Sequence, residues 1–102
     1  MRPETLRAAT TPARQMRPDV ATGLKPMRWG TGYMLGGKRF GPFGRDTATA
    51  FGHTGLVDIA VWADPARSLA AAIVSSGKPG THREANRYPA VLDRIAAEIL
   101  PN

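Results

Sequence analysis

Two apolar runs on either side of Asp64-Pro65-Ala66-Arg67 leave this chain few ways to fold. In residues 56–63, Val57, Ile59 and Val61 alternate with Asp58, Ala60 and Trp62, the period-two pattern of a half-exposed strand. Residues 68–75 are almost continuously apolar, which predicts a strand buried on both faces. The tetrapeptide between them is a type I turn signature with proline at its second position, so the two strands are expected to form an antiparallel hairpin. Further on, Val91, Leu92, Ile95 and Ile99 recur at i, i+1, i+4 and i+8, the apolar stripe of a helix that opens near Pro89 and closes at Pro101. A helix with one apolar stripe has to lie on a sheet face.

The first part of the chain is more broken. Residues 3–10 read as a short helix with proline in the first turn and Glu4 near the positive end of the helix dipole. Pro12 stops it. From residue 11 to residue 28, Pro12, Pro18, Pro26 and Gly23 deny any long regular element and predict an extended connector lying over a surface. Residues 29–35 read as a strand, with Trp29, Thr31, Tyr33 and Leu35 on one side and Gly30, Gly32 and Met34 on the other. Two glycines there point to close approach of another backbone or a ligand. Residues 36–44 form a turn-rich loop that lacks the Gly-Lys-Ser/Thr ending and following helix of a phosphate-binding loop. The expected fold class is α+β, an antiparallel sheet with flanking helices, divided into a short helix and connector (1–28) and a sheet-and-helix part (29–102).

At 102 residues and 42% hydrophobic content the chain makes at most one domain with a modest core. The absence of cysteine removes disulfides and thiolate zinc sites, and leaves the compartment open. The net charge of +6 is uneven, with +7 in residues 1–45 and −1 in residues 46–102. Nucleic-acid binding would want those cations on one face with aromatics between them, whereas here they are scattered among prolines and glycines. Eleven arginines against three lysines, with sixteen alanines, fit GC-rich codon usage instead. No nucleic-acid partner is expected. No apolar stretch follows the N-terminus, so these residues encode neither a signal peptide nor a membrane span. His53, His82, Asp46, Asp58 and Asp64 lack metal-ligand spacing, and neither a metal nor another cofactor is expected. Asp58 and Asp64 are placed on a solvated strand face and in a turn.

The residues Phe51-Gly52-His53-Thr54-Gly55, preceded by Trp29-Gly30-Thr31-Gly32-Tyr33 and followed by strand, Asp-Pro-x-Arg turn, apolar strand and helix, carry a resemblance. This order resembles the C-terminal part of the serine beta-lactamase, penicillin-binding-protein and related-esterase superfamily, over about residues 29–100. In that family a Lys-Thr-Gly or His-Thr/Gly-Gly triplet lines one wall of the active site, and His53, Thr54 and Gly55 occupy the matching positions. The resemblance therefore implies an incomplete beta-lactamase-like (transpeptidase-like) domain. The side chains are chemically suited to such a wall, since His53 can steady a carboxylate or a developing negative charge, Thr54 offers a rotatable hydroxyl, and Gly55 lets substrate approach the strand edge. By the same resemblance the Leu56 N–H would be one of two oxyanion-hole donors, the other belonging to the nucleophile. The plainer alternative has His53 capping a strand and Gly55 serving a turn.

The departures from the family pattern matter as much. Its Ser-x-x-Lys nucleophile and Tyr-x-Asn precede the triplet, and neither occurs upstream of His53 here. Tyr33 and Tyr88 read as packing residues. Ser75-Ser76-Gly77-Lys78 is formally Ser-x-x-Lys, but it follows the triplet, and Gly77 with Pro79 opposes the helix that would turn Lys78 onto Ser75. Ser68, His53 and Asp58 form a hydrolase set only on paper, since no nucleophile elbow surrounds any serine. The resemblance implies a C-terminal piece of a hydrolase of small-molecule esters or amides, working through an acyl-enzyme, inactive alone and inclined to self-associate through uncovered sheet. Histidine in place of lysine leans toward esterases. The alternative is a non-catalytic binding or scaffold module.

Overall fold

The computed structural model describes residues 1–13, 17–18, 26–39, 41–55, 59–75 and 87–102, and of Arg17, Pro18, Pro26, Arg87 and Tyr88 the backbone alone. Expectations resting on Leu56, Val57, Asp58, Ser76, Gly77, Lys78, Pro79, His82 or the Tyr88 side chain lie outside the described residues. The chain is α+β, as its sequence implies. Helix α1 (Pro3–Thr10) precedes strands β1 (Arg17–Pro18), β2 (Pro26–Trp29), β3 (Met34–Leu35), β4 (Phe51–Thr54), β5 (Ala60–Asp64) and β6 (Leu69–Ile73), and helix α2 (Arg87–Glu98) follows them. The strands run in sequence order across one sheet, each antiparallel to the next.

Strand alternation decides which face is covered. Met27 and Trp29 of β2, Met34 of β3, Ala60 and Trp62 of β5, and Ala71 and Ile73 of β6 turn to the core, where Leu92 and Ile95 of α2 meet them. Phe43 and Ala50, from the loop between β3 and β4, complete this layer. The Phe43 ring stacks on Trp62 at a centroid distance of 5.7 Å and 14° between planes. That loop is a core element: Gly36 N–H bonds Ala50 O at 2.8 Å, and the buried Thr47 hydroxyl donates to Gly44 O at 2.8 Å. Gly44 has φ +94°, and a Cβ on it would meet Leu92 O at 2.7 Å. Only glycine lets the loop reach α2 there.

Several expectations change. Residues 29–35 do not form one strand: β2 ends at Trp29, the Gly30 N–H bonds Tyr33 O at 2.9 Å, and β3 returns antiparallel from Met34. Gly32 makes the reversal possible with φ +83°. The close backbone approach expected of these glycines is real at Gly30, where a Cβ would collide with the Ala9 carbonyl of α1. That carbonyl, left open at the end of the helix, accepts the Thr31 N–H at 2.9 Å.

The hairpin forms as expected, from Ala60↔Ile73 to Asp64↔Leu69, but its turn is a short 3₁₀ helix (Pro65–Arg67) closed by Ser68 at φ 50°. Strand β6 is not buried on both faces: Ala70 and Ala72 are exposed and Leu69, Ala71 and Ile73 half-buried. Alanine tolerates either environment, so an apolar run rich in it overstates burial. In β5 the face carrying Ala60, Trp62 and Asp64 goes inward, and Val61 is 56% exposed. The α2 stripe is likewise narrower than expected, with Leu92 and Ala96 buried while Val91 and Ile99 stay exposed.

Candidate active-site wall

Strand β4 carries the His53-Thr54 pair between two unequal neighbours. On one side β5 pairs with its whole length, His53 facing Val61 and Thr54 facing Ala60. On the other side β3 pairs only with Phe51 and Gly52. Because the chain turns at Gly30–Tyr33, β3 stops there, and His53, Thr54 and Gly55 extend beyond its paired residues. Gly52 makes the close β4–β5 contact possible: a Cβ on it would collide with Val61 O and sit 2.6 Å from Trp62 Cα.

Alternation then separates the two polar side chains. His53 is exposed on the outer face, beside Val61 across the strand and Phe51 two residues back, with the Tyr33 ring edge-on to Phe51 at 5.4 Å. Its imidazole is fixed twice, by Nδ1 lying 2.7 Å from Thr54 O and by the Trp29 ring at 6.0 Å and 63°. The half-buried Thr54 hydroxyl donates to Met34 Sδ at 3.4 Å, a weak acceptor that leaves it free to turn to a better one. Gly55 is exposed, and its N–H bonds Ile59 O at 2.7 Å to close the β4–β5 connection. Its Cβ position lies 3.2 Å from the Ile59 side chain, so a larger residue would crowd this corner.

The sequence did not reveal the polar centre at the far end of β5. Asp64, placed by sequence in a solvated turn, is fully buried, and so is most of Arg67. Arg67 donates from Nη1 to Asp64 Oδ2 at 2.7 Å and Asp46 O at 2.6 Å, from Nε to Ile99 O at 2.6 Å, and from Nη2 to Ala96 O at 3.0 Å. Thr49 Oγ1 donates to the second Asp64 oxygen at 2.6 Å. Four of five guanidinium donors are thus committed, two of them to carbonyls at the open end of α2. The signal was present as Asp-Pro-x-Arg, whose i,i+3 spacing lets the arginine fold back on the aspartate. An adjoining groove of about 390 Å³, lined by Arg45, Asp46, Arg67, Asp93, Ala97 and Leu100 among others, lies at this end of the sheet and away from His53.

Two serines lie among the described residues. Ser68 lies in the hairpin turn and its Oγ accepts from Asn102 Nδ2 at 2.7 Å. Ser75 follows β6, and the lysine of its Ser-x-x-Lys lies outside the described residues. Among the described residues no cluster of potential metal ligands occurs, and no helix is long and apolar enough to cross a membrane.

No curated protein and no solved structure matches the chain. A family model described as Beta-lactamase matches residues 2–95, which takes in α1 and the connector as well as the triplet and most of α2. With that match over nearly its whole length and an antiparallel sheet carrying His-Thr-Gly at a strand end, the chain belongs to the Beta-lactamase family and has its serine hydrolase-like fold.

Proposed function

We propose that these residues are the C-terminal sheet-and-helix part of a serine hydrolase that cleaves small-molecule esters or amides through an acyl-enzyme. His53, Thr54 and Gly55 form one wall of its site, and the Leu56 N–H is one oxyanion donor. The observation that supports this reading is that β3 pairs with β4 only as far as Gly52, so that the triplet lies beyond the paired residues of β3, where an extended substrate would align. Family membership supports the same reading. The nucleophile comes from elsewhere: residues 1–67 contain no serine, and those at 68, 75 and 76 lack the required setting. The outer sheet face with Phe51, Val61, Ala63, Ala70 and Ala72 is where the remaining part docks, and the chain by itself associates through it with a second copy.

The test uses a chromogenic ester and a chromogenic beta-lactam with the chain alone, with Ser75→Ala, and with a co-expressed segment carrying Ser-x-x-Lys and Tyr-x-Asn. The expected result is no turnover alone and turnover on complementation, reduced by His53→Ala without loss of assembly. Loss of one oxyanion donor typically lowers such rates by about 100- to 1000-fold, so a chain without nucleophile and second donor has no measurable activity. Turnover by the chain alone that disappears in Ser75→Ala would identify Ser75 as the nucleophile and refute the assignment. Failure of every complemented pair would favour a non-catalytic binding module.

A further inference from the structure

We propose that His53 meets the substrate as a hydrogen-bond acceptor through an unprotonated Nε2, and so selects esters or amides presenting a hydroxyl or amide N–H over those presenting a carboxylate. The proposal rests on the functional reading above and names the substrate class of that same site.

The argument begins with one hydrogen bond. His53 Nδ1 lies 2.7 Å from the Thr54 carbonyl oxygen. A carbonyl only accepts, so the hydrogen of that bond belongs to Nδ1. A neutral imidazole has one N–H, and with Nδ1 holding it, Nε2 keeps its lone pair. Nε2 makes no hydrogen bond among the described residues, and the side chain is exposed. Turning the ring over would put a carbon against Thr54 O, and the Trp29 ring at 6.0 Å restricts that space.

The surroundings point the same way. No carboxylate forms an ion pair with His53 among the described residues, so the ring has no anionic partner among them. The neighbours on its face are Val61 and Phe51. A carboxylate brought there would lose hydration against apolar side chains, whereas a hydroxyl or amide loses far less and gains an acceptor. A lysine at this position would offer donors and no acceptor, the reverse preference. The expectation that His53 steadies an anion therefore applies to its doubly protonated form alone.

The test takes the 102-residue chain labelled with nitrogen-15, at a concentration at which light scattering shows a monomer, so that the face carrying His53 is uncovered. Long-range proton–nitrogen spectra of the His53 ring, recorded where the singly protonated ring predominates, should show Nδ1 carrying hydrogen and Nε2 bare. Phenylacetamide and phenylacetate are then titrated as matched probes. The amide should shift Nε2 and the Gly55 backbone amide, the carboxylate should leave both unmoved at the same concentration, and His53→Lys should invert that order. A ring protonated at Nε2, an equal or larger response to phenylacetate, silence toward both probes, or an unchanged order in His53→Lys would each overturn the proposal. None of these readings needs turnover, so failed complementation would count against the hydrolase assignment and not against the tautomer.

Discussion

Removing the Arg67 side chain should be among the most damaging single changes in this chain. Arg67→Ala strands the carboxylate of Asp64, which is fully buried and would keep only the Thr49 hydroxyl at 2.6 Å. It also strips donors from the carbonyls of Asp46, Ala96 and Ile99. Breaking a buried pair from one side costs about 3–5 kcal/mol, because the surviving charge is left uncompensated. Against a net stability of about 5–15 kcal/mol this is a large share. At about 4–8 °C per kcal/mol for a domain of this size, the midpoint should fall by roughly 12–40 °C. Thermal unfolding measures that midpoint and urea unfolding the free-energy loss, both followed by tryptophan fluorescence, since Trp62 stacks on Phe43 in the core. The paired variant Asp64→Leu with Arg67→Met removes both charges and should fall between parent and Arg67→Ala, because the three carbonyls still lack donors. The exposed Arg94–Glu98 pair serves as control: Glu98→Gln should stay within about 0.5 kcal/mol of the parent. An Arg67→Ala cost below about 1 kcal/mol, or a paired variant no more stable than Arg67→Ala, would refute the reasoning.

Gly52→Ala should cost about 1–3 kcal/mol and loosen β4 from β5, since its Cβ would meet backbone at Trp62 and Val61 and backbone cannot turn aside; an unchanged urea midpoint would show that the strands part without cost. Amide exchange should be slowest in the paired residues of β5 and β6, whose five-residue register is the longest in the sheet, and fast in α1, which has no buried residue. Equal protection of the two would contradict the packing described. The apolar outer face should make the chain associate at high concentration, and Val61→Lys, on a residue 56% exposed, should return it to monomer by light scattering. A parent that is already a clean monomer would remove that interface.

Features set by neighbours in sequence were legible, and those set by distant contacts were not. Helix α1 spans Pro3–Thr10 because proline starts it and Pro12 prevents its continuation, both local effects. The hairpin follows from its turn in the same way. By contrast, the burial of Asp64 depends on Arg67 being held by carbonyls of Ala96 and Ile99, about thirty residues away, and no local pattern announces that. The region 29–35 misled because alternation reads glycine as an empty strand position, while Gly32 at φ +83° used its freedom to turn. The family was legible in the order of Phe51–Gly55, the hairpin and the closing helix. The point at which β3 leaves β4 was not, because it depends on the turn at Gly32.

Strand β5 joins these two parts of the molecule while keeping their chemistry apart. At its C-terminal end Asp64 faces inward and is tied through Arg67 to the end of α2. At the other end Val61 and Ala60 pair with His53 and Thr54. The alternation that sends Trp62 and Asp64 into the core sends Val61 outward, and the register with β4 then obliges His53 to face outward as well. A slip of one residue that turned β5 over would send Trp62 out of the core and expose the Asp64 carboxylate away from its arginine. The cost of separating that pair thus helps to hold the register that turns His53 outward, although Arg67 lies at the opposite end of the strand.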